Sequence, residues 1–153
     1  MHAIDPHTLS VAYRLIHALG MSVLLGGAIV VAAGFGRGAG SAAGAIHAAA
    51  WYERLFWPVI AIQVLTGVGN VGMLGASAPG PDTPWGGFFA LKLGVVGVAL
   101  VASTVRTGAV VQLLAQPSAV LSARQDAVLR GLYAATAVLV GVVVFLAVRL
   151  AHG

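Results

Sequence analysis

Four long apolar segments are the feature of this sequence that most limits how the chain can fold. They run over about residues 9–35, 53–75, 85–107 and 126–150. A helix of about 20 apolar residues crosses the hydrocarbon core of a bilayer, and each segment reaches that length. Helices also satisfy their own backbone hydrogen bonds in lipid, and the alternating pattern of a membrane β-barrel is absent. The sequence therefore predicts an all-α fold, a transmembrane four-helix bundle that forms a single domain over residues 1–153.

The composition agrees with a membrane protein and excludes several other classes. Only 8% of the residues are charged and 59% are hydrophobic, with a mean hydropathy of +0.98, whereas a soluble domain is roughly 25% charged. The absence of cysteine excludes disulfides, thiolate metal sites and covalently attached c-type haem. The net charge of +4 is spread over the flanks of the apolar segments. This distribution predicts contact with membrane lipid and no nucleic-acid partner.

The breaks between the segments carry signals of their own. Asp5 followed by Pro6 is typical of an N-cap and the first helical position. The glycine-rich run 34–44, the proline-rich run 75–87 and residues 115–127 are predicted to be connections. The first apolar segment has no basic region before it and is longer than the core of a signal peptide. We therefore expect a permanent helix there and no cleaved leader.

The basic residues favour one orientation in the membrane. The larger group flanks the first and third connections and comprises Arg37, Arg54, Arg106, Arg124 and Arg130. The smaller group lies just inside the other ends of the apolar segments and comprises Arg14, Lys92 and Arg149. Basic residues accumulate on the cytoplasmic side. The sequence thus predicts a multi-pass protein of the cell inner (cytoplasmic) membrane with both termini outside the cytoplasm.

Polar groups within the apolar segments gather in the leaflet that holds the termini. At about 100° per residue, Arg14 and His17 fall on one side of the first helix, together with His7. Polar side chains in a membrane helix face protein or a cavity. The other helices bring further polar or thioether groups to this level: Asn70, Met73, Lys92, Arg149 and His152.

This polar layer fits the needs of haem b, which are an imidazole ligand, a dry slot between helices and cations for two propionates. His17 is the predicted iron ligand, and Gly20 is expected to let a flat macrocycle approach the backbone. The predicted cations are Arg14, Lys92 and Arg149. The second axial ligand is the Met73 thioether, a group of a partner chain, or absent. A simpler interpretation of the three basic residues is that they snorkel to the interface.

Three stretches resemble the helices of a known superfamily. They are LIHALGMSVLLGG (15–27), FWPVIAIQVLTGVGNV (56–71) and PWGGFFALKLGVVGVALVAS (84–103). They are similar to the first three helices of the CopD-like copper-resistance membrane proteins and of the HemJ-type protoporphyrinogen oxidases. The resemblance implies a four-helix membrane protein that handles haem b or copper, with His17 and Lys92 at matched positions. The sequence VVAAGFGRG lacks the Tyr-His element that HemJ-type proteins carry there, so the resemblance extends to the superfamily and not to the oxidase activity.

Three classes of function stay open at this point. The first is a haem-b protein of electron transfer, such as a small subunit of a respiratory or quinone-linked complex. If it is an enzyme, it is a component of a membrane haem oxidoreductase. The second is a cofactor-free structural subunit, because helix faces rich in glycine and alanine predict a homo-oligomer or a larger membrane complex. The third handles copper with imidazole and thioether groups, which are Met1, His2, His7, Met21 and Met73.

A proton-coupled transporter is disfavoured by the positions of the acidic residues. Glu53 and Asp126 are predicted to lie at the starts of the second and fourth helices. Asp5 and Asp82 are predicted to lie outside the membrane. Proton relays in membranes use carboxylates within the bilayer. The predicted helix boundaries leave none there.

Overall fold

Four long helices make up the computed structural model, which describes residues 5–36, 39–72, 79–116 and 121–152. The helices are α1 (Pro6–Gly34), α2 (Ala39–Gly72), α3 (Pro84–Leu114) and α4 (Ala123–His152). Each contains a segment long and apolar enough to cross a membrane, with mean hydropathies of 2.2, 1.5, 2.1 and 2.4. No strand occurs in these ranges. The predicted all-α four-helix membrane bundle is confirmed.

Two of the helices begin with the same local chemistry. The Asp5 carboxylate accepts a hydrogen bond from the backbone N–H of Thr8 at 3.3 Å, and Pro6 is the first residue of α1. In α3, which begins at Pro84, the hydroxyl of the preceding Thr83 accepts a hydrogen bond from the backbone N–H of Gly86 at 3.1 Å. A side-chain acceptor satisfies a backbone N–H that has no partner within the helix. The predicted Asp5–Pro6 start is confirmed.

The start of α2 differs from the prediction. The helix begins at Ala39 and not near Glu53, so most of the predicted connection 34–44 and the residues after it are helical. The reason lies in the alanine-rich sequence of residues 39–50, since alanine has the highest helix propensity and offsets the glycines there. The other helices also extend beyond their predicted bounds, with α3 reaching Leu114 and α4 beginning at Ala123.

The chain reverses direction after α1 at Gly36, whose φ of +84° lies in the left-handed region that glycine adopts without strain. Its backbone N–H donates to the Asp126 carboxylate at 3.1 Å. A Cβ atom at this position would lie 3.1 Å from the Arg130 guanidinium. Gly36, where the first connection begins, is therefore hydrogen-bonded to the beginning of α4.

The bundle has two halves that differ in packing. The terminal half contains the start of α1, the end of α2, the start of α3 and the end of α4; the connection half contains the opposite ends. Helix α1 packs against α2 and α4, and α3 packs against α4, whereas α2 and α3 make few contacts with each other. The buried core lies mainly in the connection half and includes Leu24, Phe35, Tyr52, Phe56, Val110, Leu129 and Tyr133. The terminal half contains a cavity.

Candidate functional site

The cavity in the terminal half has a volume of about 540 Å³ and is bounded by all four helices. Cofactor and ligand sites of proteins commonly have this size and are mostly apolar with a few placed polar groups. Here the walls are mainly valine, leucine and phenylalanine side chains. The polar residues that line it are His17, Gln63, Lys92, Ser103 and Thr136. It is the candidate functional site.

His17 projects from α1 into the cavity wall and is held by a threonine of α2. Its Nδ1 lies 2.9 Å from the hydroxyl of Thr66. That hydroxyl also lies 2.8 Å from the Ile62 carbonyl, to which it can donate. In that arrangement it accepts from Nδ1, and Nε2 keeps its lone pair. Nε2 makes no hydrogen bond within the described part of the chain. A histidine that bonds to a protein group through one nitrogen and has the other nitrogen free is typical of a metal ligand.

Lys92 lines the cavity from α3 and is half-buried. Among the residues that the structure describes, the only salt bridge within 4.0 Å joins Arg106 to Glu53, so no carboxylate lies that close to the Lys92 amino group. The cavity wall therefore has a basic side chain that has no carboxylate partner among the described residues. An anionic group on a bound molecule would provide that partner.

Gln63 is a buried amide between α1 and α2. Its side chain is 5% exposed, and neither Nε2 nor Oε1 has a hydrogen-bond partner among the described residues. Gly20 of α1 accommodates it, since a Cβ atom at Gly20 would overlap Nε2 of Gln63. Gly20 was predicted to let a macrocycle approach the backbone. In the structure the open space beside it is filled by this amide.

A buried ion pair lies just beyond the floor of the cavity. The Arg106 guanidinium on α3 is fully buried, and its Nε donates to Glu53 Oε1 at 2.6 Å while its Nη2 donates to Oε2 at 3.1 Å. Its remaining nitrogen, Nη1, donates to Thr136 at 2.6 Å and to Ser103 at 3.3 Å. The Tyr133 hydroxyl donates to the same carboxylate at 2.6 Å. The pair thus joins α2, α3 and α4, and Ser103 and Thr136 separate it from the cavity.

Three aromatic rings enclose the guanidinium of Arg106. Its Cζ lies 4.5 Å from the centroid of the Phe56 ring, 5.0 Å from that of Tyr52 and 5.1 Å from that of Tyr133. The Tyr52 hydroxyl donates to the Leu24 carbonyl of α1 at 2.9 Å, which brings the first helix into the cluster. Cation–π contacts and complete hydrogen bonding are what a buried charge needs in a medium without water.

The position of Glu53 corrects the prediction that no carboxylate lies within the membrane segments. Because α2 begins at Ala39, Glu53 lies inside the helix, within its candidate membrane-spanning segment Ala43–Gly72, and it is 6% exposed. The positions of the acidic residues therefore no longer disfavour proton-coupled transport. Arg106 was likewise assigned to a helix flank, but it is buried inside α3. The sequence feature that indicates the interior position of Glu53 is the alanine-rich stretch before it, which extends the helix.

The other predicted site residues lie in several places. Arg14 is exposed on α1 and does not line the cavity. Arg149 is also exposed, with its guanidinium 5.7 Å from the centroid of the Phe88 ring. Met73 lies outside the described residues, as do Met1 and His2 of the copper alternative. Within the described ranges, no three or more histidine, cysteine, aspartate or glutamate side chains form a group that could hold a metal ion.

Comparison of the chain with protein-family models, with curated proteins and with solved structures gives no significant match.

Proposed function

We propose that this chain is a haem-b-binding membrane protein of electron transfer, with His17 as an axial ligand of the iron. The observation that supports the proposal is the His17 imidazole in the wall of a mainly apolar cavity of about 540 Å³, with Nδ1 bonded to Thr66 and Nε2 without a hydrogen-bond partner among the described residues. Haem b, when bound, supplies reversible one-electron transfer at a potential that its surroundings set.

The residues of the cavity fit such a group in their chemistry. Thr66 orients the imidazole through Nδ1. Lys92 offers a cation to a carboxylate. The imidazole lies beside the backbone of Gly67, where a Cβ atom would be 3.7 Å from Cε1 of His17. The rest of the lining is mainly apolar, with Gln63, Ser103 and Thr136 as its other polar residues. The resemblance to the CopD-like and HemJ-type superfamily, a prediction from the sequence, agrees with this assignment.

The proposed location is the cell inner membrane, with both termini outside the cytoplasm. With Arg106 and Arg54, the neighbour of Glu53 within α2, taken out of the count, the sequence still has Arg37, Arg124 and Arg130 at the first and third connections. In the terminal half the basic residues are Arg14, Lys92 and Arg149, and Lys92 lines the cavity. The positive-inside rule then gives the same orientation as before.

The absorption spectrum of the purified protein tests the haem assignment. We expect a Soret band and b-type bands after reduction with dithionite. The His17→Ala variant is expected to lose this spectrum and still insert, because the change leaves an apolar helix. His47→Ala is the matched control, since His47 is exposed on α2 and bonds only to Trp51 within the described residues. A normal spectrum in His17→Ala would show that another group ligates the iron.

A cofactor-free subunit of a larger membrane complex is the second candidate. The observation that favours it is the side of the bundle between α2 and α3, where these helices make few contacts with each other. Such a side could receive a helix of a partner or of a second copy. A colourless protein that takes up no added haem would support this candidate and exclude the first.

A further inference from the structure

Helices α2 and α3 are joined at one level of the bundle and separated by the cavity above it. Among the described residues, every side-chain hydrogen bond between them lies at the ion pair: Arg106 and Thr107 of α3 bond to Glu53. There the Trp57 indole also donates to Thr107 at 3.2 Å. Toward the terminal half, both helices contribute cavity walls and make few contacts with each other. The ion pair therefore marks the closed end of a gap.

The rim of this gap is apolar and reaches the surface of the bundle. Val64 and Val68 on α2 and Leu93 on α3 line the cavity, yet they are 49%, 68% and 55% exposed. All three belong to the membrane-spanning segments. A surface of this kind at this depth faces the hydrocarbon of the bilayer. The cavity is thus open sideways, toward lipid.

The basic side chain inside the cavity indicates which kind of molecule can bind there. Lys92 is its basic side chain, and it has no carboxylate partner within the described ranges. Lys92 lies roughly 12 Å along α3 from Pro84, which is near the membrane surface. A molecule in the bilayer with a carboxylate has its apolar body in the hydrocarbon and its acid near the surface, on the side of the membrane from which Lys92 is reached.

We propose that the gap between α2 and α3 is a lateral entrance, through which the cavity takes up from the bilayer an apolar molecule whose carboxylate meets Lys92. The proposal uses the cavity of the proposed function. Haem b, with its propionates, is one source of this chemistry, and a membrane fatty acid is the other.

Photo-labelling tests the entrance. The full chain is reconstituted in phosphatidylcholine vesicles that contain a fatty acid with a diazirine on its chain, and adducts are located by mass spectrometry after irradiation. We expect adducts on Val140 and Val143, which line the cavity from α4 and are only 6% and 7% exposed. Adducts confined to outward residues such as Leu19 and Val138 would overturn the proposal.

A block of the gap provides the matched comparison. The chain has no cysteine, so Val68→Cys can be alkylated with a bulky maleimide after folding and reconstitution. Val101→Cys is the control, because Val101 is 67% exposed, close to the 68% of Val68, and does not line the cavity. Interior labelling is expected to fall several-fold for the alkylated Val68→Cys and to stay unchanged for the control. Equal labelling of both would overturn the lateral route.

Two further arms test the carboxylate and separate the two proposals. The diazirine alcohol of equal chain length is expected to label the interior several-fold less than the acid, and Lys92→Gln should remove the difference. Added haem is expected to compete with labelling. If no haem binds while labelling persists and depends on Val68, the haem function fails and the entrance stands. A second outcome is that haem binds, but the alkylated Val68→Cys and Val101→Cys proteins take it up from vesicles at equal rates. In that case the lateral entrance is wrong and the haem function stands.

Discussion

At the scale of single residues, the orientation of the His17 ring depends on one hydroxyl. The Thr66 hydroxyl lies 2.9 Å from Nδ1 of the imidazole and 2.8 Å from the Ile62 carbonyl. The partner of the histidine comes from another helix, 49 positions later in the sequence. The geometry of the candidate ligand therefore depends on the contact between α1 and α2.

Thr66→Val removes this acceptor with little change in side-chain volume. Outer-shell partners of ligating histidines are worth roughly 10–100-fold in metal affinity, so we expect haem affinity to fall by about that factor. The midpoint potential is also expected to shift, because the ring is less well oriented. Haem titration and redox potentiometry measure the two effects.

Thr104→Val serves as the control for the Thr66 variant. Thr104 is exposed on α3, and among the described residues its hydroxyl bonds only to the carbonyl of Val101 in the same helix. Its replacement should leave both quantities unchanged. If Thr66→Val also leaves them unchanged, Thr66 does not orient the ligand.

At the scale of helices, the buried ion pair takes the place of direct packing between α2 and α3. Glu53 receives donors from α3 and α4, and Arg106 is surrounded by rings of α2 and α4. Removing one partner leaves the other charge buried and unpaired. Removing both leaves an apolar contact, which in other proteins is often neutral or stabilising.

We expect Arg106→Met and Glu53→Met each to lower the free energy of unfolding by about 3–5 kcal/mol. The double variant should lose much less than the sum of the single losses, which is the sign of a coupled pair. Thermal unfolding in a mild detergent measures all three. Arg54→Met, a change at an exposed neighbour, is the control and should stay within about 0.5 kcal/mol. Additive losses would contradict the coupling.

Two adjacent glycines test the contact between α1 and α2. A Cβ atom at Gly27 would lie 2.6 Å from the ring of Tyr52, which is fixed by its hydrogen bond to Leu24. A Cβ atom at Gly26 would meet nothing within 4 Å. Gly27→Ala is therefore expected to cost about 1–3 kcal/mol of stability through overpacking. Gly26→Ala should be neutral or stabilise by up to about 1 kcal/mol through helix propensity. Equal unfolding temperatures for the two variants would exclude this close approach.

At the scale of the whole molecule, one half of the bundle is closely packed and the other contains the cavity. The connection half contains the core, the ion pair and the fastened turn at Gly36. The terminal half is more open and contains the cavity. Stability is therefore expected to depend mainly on one half, and ligand binding on the other.

The orientation of the molecule in the membrane can be tested with single cysteines. Gly80 and Gln116 are exposed and lie on opposite sides of the bundle. Because the basic flanks favour the cytoplasm, an impermeant maleimide is expected to label Gly80→Cys in intact cells and to label Gln116→Cys only after permeabilisation. The reverse pattern would place both termini in the cytoplasm. A cysteine-free background, as in the natural chain, is the negative control.

The fold class follows from the amino-acid sequence, because apolar length is a property of each segment alone. A run of about 20 apolar residues has few structures available in lipid, whatever its neighbours are. The Asp5–Pro6 helix start was predictable for the same reason, since its partner Thr8 is three residues away. The level of His17 in the terminal half could also be read from its position in the first segment.

The contacts between polar groups of different helices depend on the tertiary structure. Because α2 begins at Ala39, Glu53 lies inside the bundle and not at the predicted start of the helix, and it pairs with Arg106, 53 positions later in the sequence. The cavity between α2 and α3 depends on how four helices pack, and helical periodicity gives the face of a residue but not the helix opposite it. For that reason Lys92 lines the cavity while Arg14 and Arg149 do not, although all three were predicted cations for the propionates.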